Sequence, residues 1–189
     1  MPEPVIVVSG LPRSGTSLAM QMIHAGGVPA VTDGQRTSDD DNPRGYFEFE
    51  RVKQLKTDKA WLADAGGKVV KVIHLLLAEL PDDRPYRVVF MRRDLREVVK
   101  SQSTMLSRSG RAGGGLPPER LMAIYDQQLK AVEAWLAARP NFSRLDVPYA
   151  DLVADPTTGA ATINRFLGGT LDEAAMRAAV DPALHRNRA

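Results

Sequence analysis

Gly10-Leu11-Pro12-Arg13-Ser14-Gly15-Thr16-Ser17 has the spacing of the phosphate-binding loop G-x-x-x-x-G-K-[ST], with Thr16 where the lysine would stand. Its residue types suit an anion. Glycines let the backbone approach a phosphate or sulfate closely. Successive N–H groups then cradle its oxygens, and the positive end of a following helix strengthens the field. Thr16 and Ser17 add hydroxyl donors. Arg13 supplies, from inside the loop, the positive charge that the absent lysine would have given. The alternative is a glycine-containing strand-to-helix turn that binds nothing. The context favours the anion: Val5-Ile6-Val7-Val8 just upstream is the β-branched run of a strand buried on both faces. From Thr16 the apolar positions Leu18, Met22 and Ala25 follow a helical period as far as Gly26-Gly27.

A second cationic site follows from Val88-Val89-Phe90-Met91, which reads as another buried strand and ends in Arg92-Arg93. A nucleoside triphosphatase needs the loop lysine and usually an acidic residue at such a strand end to order Mg²⁺. Arginines there suit a second anionic group instead. Asp94 is better used as a helix cap, and Asp94-x-x-Glu97 has the form of a capping box. The expected ligand is thus a nucleotide with two separated anionic groups and no metal. Two other readings stand beside it. One is a P-loop nucleotide kinase or nucleoside triphosphatase, opposed by Thr16 and the missing acidic strand end. The other is a non-catalytic nucleotide-binding module.

These residues resemble the sulfotransferase family that uses 3′-phosphoadenosine-5′-phosphosulfate (PAPS). Its 5′-phosphosulfate loop P-[KR]-S-G-T-[ST] is matched by Pro12, Arg13, Ser14, Gly15, Thr16 and Ser17. Its 3′-phosphate signature, an Arg at a strand end with a Ser eight residues on, is matched by Arg93 and Ser101. From Asp94 to Ser101 is about two helical turns, so Ser101 returns to the face that Arg93 occupies. Val70-Lys71-Val72-Ile73-His74 with Leu80-Pro81 resembles the K-T-H-L-P segment, with one extra residue before the His. Asn42-Pro43-Arg44-Gly45-Tyr46-Phe47-Glu48 resembles the N-P-x-G-Y-x-E loop of bacterial members. The late R-K-G-x-x-G-x-W-K segment of cytosolic members has no counterpart; Arg186 and Arg188 are the basic residues near the end.

The resemblance implies in-line transfer of a sulfuryl group from PAPS to a hydroxyl or amine of a small-molecule or carbohydrate acceptor, leaving the desulfated nucleotide PAP. Arg13 would stabilise charge at the transferring group, and Lys71 would contact that group or serve as an edge lysine. Two residues compete as general base. His74 has an unperturbed pKa of about 6.5, suited to the task, but the apolar Leu75-Leu76-Leu77 after it also suits a packed imidazole. Glu48 lies on a polar loop and is the preferred of the two. Its alternative is an acid favoured at a helix N-terminus.

The elements that must position these groups alternate. Strands are expected at Val5–Val8, Lys68–Ile73, Arg87–Met91 and Phe142–Val147. Helices are expected from Thr16, over 47–63, after Asp94, over Pro118–Arg139, around Pro156–Leu167 and near Leu171–Val180. Such alternation predicts an α/β fold, a three-layer parallel sheet of P-loop type with helices on both faces, in one domain over 1–189. Segments 32–45 and 107–118 read as loops lining the acceptor site.

Composition narrows the class further. The 189 residues suffice for a real core. With no cysteine there is no disulfide and no thiolate metal site. No stretch approaches a membrane span, and the first residues do not form a signal peptide, so a cytoplasmic protein is expected. A net charge of +2 does not point to a nucleic acid polymer. The local cluster Arg84, Arg87, Arg92, Arg93, Arg96, Lys100, Arg108 and Arg111 suits a small multiply charged anion as well as it suits a polymer.

Overall fold

β1 (Val5–Gly10) is buried along all six residues, and its alternate side chains enter two different cores. That pattern requires cover on both faces of a parallel sheet. The computed structural model, which describes residues 3–34, 47–108 and 116–181, supplies it. β2 (Val69–Lys71), β3 (Tyr86–Arg92) and β4 (Phe142–Pro148) join β1 in one four-stranded sheet of order β2-β1-β3-β4. Every pairing is parallel, with Ile6 opposite Val69 on one side and Arg87 on the other, and Val89 opposite Leu145.

Ile6, Val8, Val89 and Met91 face α1 (Thr16–Ala25), α4 (Tyr149–Ala154), α5 (Pro156–Leu167) and α6 (Glu173–Ala178), meeting Met20, Ile23, Leu152, Ile163 and Met176. Val5, Val7, Val88 and Phe90 face the opposite layer. There α3 (Pro118–Ala137) contributes Val132 and Leu136, and three short 3-10 segments contribute Val52, Trp61, Leu62 and Leu77. Each large apolar side chain so buried contributes about 1.5–3 kcal/mol. α2 (Leu95–Arg108) packs on α3 through Val98, Val99 and Tyr125, with Leu11 of the loop included in the same cluster. The expected three-layer α/β architecture is therefore present, and the Gly10–Ser17 loop lies at the carboxyl end of β1.

Two local expectations are corrected. Residues 47–63 do not form one helix; they form two 3-10 segments, Glu50–Gln54 and Ala60–Asp64. Asp58 is the reason. Its carboxylate takes both Arg51 at 2.8 Å and the N–H of Ala60 at 3.1 Å, a local alternative to continued helical bonding. Of the Asp94–Glu97 capping box, Asp94 caps the helix as expected and Glu97 does something else. Asp94 Oδ1 accepts from the N–H of Arg96 at 2.8 Å, whereas Glu97 bonds Arg93. A 3-10 segment, His74–Glu79, and the short α4 were not foreseen. The final helix is shorter than expected, and α2 runs on through 107–108. Of the two expected loops, 35–45 and 109–115 lie outside the described residues, as do 42–46 of the N-P-x-G-Y segment and Arg186 and Arg188.

Candidate active site

The loop is fixed by its own short bonds before any ligand enters. Ser14 Oγ donates to the carbonyl of Leu11 at 2.7 Å, and the Ser14 N–H reaches the same oxygen at 3.2 Å. Gly15, with φ +100, caps α1 in a left-handed conformation that suits glycine. A Cβ there would overlap the Tyr149 ring, and a Cβ on Gly10 would come within 2.8 Å of the Met91 carbonyl. Both glycines thus permit close approach of neighbouring groups. Arg13 is held at φ 68, a region costly for a side-chain-bearing residue by about 1–3 kcal/mol. Such strain persists only where the surroundings impose it.

Those surroundings are the two signature residues from the next strand and helix. Arg93, just past β3, donates from Nη1 to the Arg13 carbonyl at 3.0 Å. Arg13 Nε donates to Ser101 Oγ at 3.0 Å, and its Nη1 lies 4.0 Å from Met105 Sδ. Ser101, in the second turn of α2, is buried. The Arg93 guanidinium also sits 4.5 Å from the centre of the Tyr149 ring and pairs with Glu97 at 2.8 Å. Burial pushes the Tyr149 phenol above its ordinary range, with Arg93 beside it pulling the other way.

Arg92 goes elsewhere. Successive residues of a strand face opposite sides; Arg92 pairs with Glu133 at 2.6 Å and Asp146 at 2.8 Å and lies over the Phe90 ring. Only one arginine of the pair therefore meets the loop.

On the other flank, Lys71 at the end of β2 donates to Ser17 Oγ at 3.2 Å and lies 3.6 Å from Glu48 Oε1. Their side chains are 10% and 26% exposed. Glu48 is brought there by the segment 47–49, whose backbone carbonyl also accepts from Thr32 Oγ1 at 2.9 Å. His74 is separated from this group. It is 2% exposed, its Nε2 lies 3.0 Å from Gln128 Oε1 of α3, and its Nδ1 has no partner among the described residues. The structure thus gathers Arg13, Ser14, Gly15, Thr16, Ser17, Arg93, Ser101, Lys71 and Glu48 around one loop, with Pro12 exposed on it, and leaves His74 packed between layers.

The sequence model of the sulfotransferase family matches residues 43–173, more than half of the chain. The chain belongs to the sulfotransferase family. That match begins after the Gly10–Ser17 loop, so the loop is placed by the fold. The fold is similar to the sulfotransferase domain of the Synechococcus PCC 7002 olefin synthase, at 17% identity, with 97% of this chain and 86% of that one covered and a TM-score of 0.56. It is similar to sulfotransferase STF1 from Mycobacterium tuberculosis H37Rv, at 19% identity, 95% and 71% coverage and a TM-score of 0.58. Retinol dehydratase in complex with androsterone and the inactive cofactor PAP also matches, at 19% identity and a TM-score of 0.54. There the alignment covers 95% of this chain and 64% of the other. No curated protein matches the sulfotransferase chain by sequence.

Two residues at the loop were not singled out from the sequence. Tyr149 stands just beyond β4, at the strand end where open α/β sheets bind ligands, and that position was the available signal. Glu97 was read as a cap. Among the described residues no group of His, Asp or Glu is placed to hold a metal ion, and no helix is long and apolar enough to cross a membrane.

Proposed function

We propose that this chain moves a sulfuryl group from PAPS to a hydroxyl or amine of a small-molecule or carbohydrate acceptor. The observation that carries the proposal is the double attachment of Arg13: its carbonyl to Arg93 and its guanidinium to Ser101. Cationic and hydroxyl donors for two anionic groups are thereby joined in one bonded set. Gly10 and Gly15 let the loop pack directly against Met91 and Tyr149, which fixes its backbone in place. The similar fold of a protein crystallised with PAP adds support.

In this reading the N–H groups and hydroxyls of Thr16 and Ser17 hold the 5′ anionic end at the start of α1, on a turn that Ser14 fixes through the Leu11 carbonyl. Arg93 and Ser101 hold the 3′-phosphate. Bound PAPS supplies the activated sulfuryl group. Arg13 acts electrostatically, because a guanidinium does not give up its proton. Lys71 joins Ser17 to Glu48, linking the anion loop to the proton-accepting group. Glu48 takes the acceptor's proton, and His74 is the less accessible choice.

Titration calorimetry tests the ligand: PAP should bind without metal, and more tightly than AMP or ATP with Mg²⁺. Equal affinity for PAP and AMP would remove the 3′-phosphate assignment. Incubation with PAPS and a panel of phenols, alcohols, amines and sugars, read by mass spectrometry for sulfated product, tests the transfer.

A further inference from the structure

An acid at the third position of a helix ordinarily turns back to the N-cap. In α2 Asp94 caps the Arg96 N–H, and the Glu97 carboxylate meets the Arg93 side chain. The resulting ion pair is enclosed: the two side chains are 8% and 11% exposed. Enclosing both charges costs desolvation that their attraction offsets only in good geometry. A local rule set aside at such cost marks a functional position. The geometry is good: Nε to Oε2 is 2.8 Å, from residues one helical turn apart.

Three contacts reach the Arg93 guanidinium from different directions. Glu97 takes the Nε edge, the Arg13 carbonyl takes Nη1, and the Tyr149 ring lies against the face. A plane held at an edge, at one corner and on a face has little rotational freedom. Arg13 belongs to the loop and Tyr149 packs on Gly15, whereas Glu97 reaches Arg93 from the first turn of α2.

We infer that Glu97 is a positioning residue that sets selectivity for a 3′-phosphorylated nucleotide by fixing the orientation of Arg93. The inference rests on the proposed PAPS reading. Glu97 does not touch the nucleotide in it. A fixed fork of donors recognises a phosphate better than a mobile one, because the ordering cost is met on folding rather than on binding.

The test is the ratio of PAP to AMP affinity, measured by calorimetry on the wild type, Glu97→Ala and Glu97→Gln. Glu97→Ala should lower the ratio about tenfold, the size of one charge-assisted bond, with AMP affinity unchanged. Glu97→Gln keeps an oxygen acceptor for Nε and should retain the ratio within about threefold. A purely structural role would lower PAP and AMP affinity together. That result, an unchanged ratio in Glu97→Ala, or loss of the ratio in Glu97→Gln, overturns the inference. A wild-type ratio near one would instead sink the PAPS reading itself. Glu97→Gln supplies the answer if Glu97→Ala fails to fold.

Discussion

The two flanks of the Gly10–Ser17 loop are built differently. On the β3 and β4 side, Arg13, Arg93, Glu97 and Ser101 are tied by bonds of 3.0 Å or less, around a buried tyrosine ring. On the β2 side, Lys71 reaches Ser17 at 3.2 Å and Glu48 at 3.6 Å, and Glu48 keeps a quarter of its side chain in solvent. The first arrangement is rigid, the second looser. A site that must hold a fixed anion gains from donors frozen in place. A group that must meet an incoming acceptor needs access and some freedom.

The contrast can be broken most directly at Glu48. Glu48→Gln should leave PAP affinity intact and lower turnover about a hundredfold or more in single-turnover assays. His74→Gln should leave turnover near wild type. The opposite pair of results would move the proton-accepting role across to the 3-10 segment behind β2.

The rigid flank answers to binding instead. Arg93→Ala should lose on the order of 2 kcal/mol of PAP affinity by calorimetry, about thirtyfold, with AMP nearly unchanged. An equal loss for both nucleotides would place Arg93 in the scaffold of the loop. Gly15→Ala should cost about 1–3 kcal/mol of stability in thermal denaturation, from backbone strain and overlap with Tyr149, and weaken PAP about tenfold.

The smallest effect belongs to Arg96, three residues from Arg93 and 72% exposed. Arg96→Ala should leave the melting temperature and the PAP affinity near wild type. It should still be visible in the Asp94 titration by NMR. The Arg96 side chain is the main cause holding that carboxyl below its ordinary range. Without it the titration should move up. A depressed folded-state value means that the small contribution of Asp94 is present above its unfolded pKa and lost as pH falls through the folded one.

The same division governs what could be read from the sequence. β1 and the loop were legible because an unbroken β-branched run leaves little choice but a strand buried on both faces, and the glycines then mark the turn. Arg93 and Ser101 were legible through their resemblance to the family's 3′-phosphate signature, with which helical periodicity agrees by returning them to one face. The register of Arg92 against Arg93 was not, since only the assembled sheet shows that Asp146 and Glu133 wait on one side and the loop on the other. Residues 47–63 misled because Val52, Leu55 and Leu62 mimic a helical stripe, while the interruption lies in one carboxylate, Asp58. Glu97 fitted a capping rule, and its contact with Arg93 depends on where β3 ends.

The position of β1 in the sheet has a consequence for the order of folding. The first of the four strands along the chain lies inside the sheet, and its partners are far along the chain: Ile6 is bonded beside both Val69 and Arg87. Pairing over such separations closes long loops and is slow compared with helix formation. On a growing chain, β1 therefore waits for β2 on one edge and is not enclosed on both until β3 has emerged. The anion loop at its end acquires its partners only then, because Arg93 follows β3 directly and Ser101 comes one helix segment later. Protection of the β1 amides in pulse-labelled hydrogen exchange should accordingly rise together with that of β3, and after α2 and α3 have begun to form.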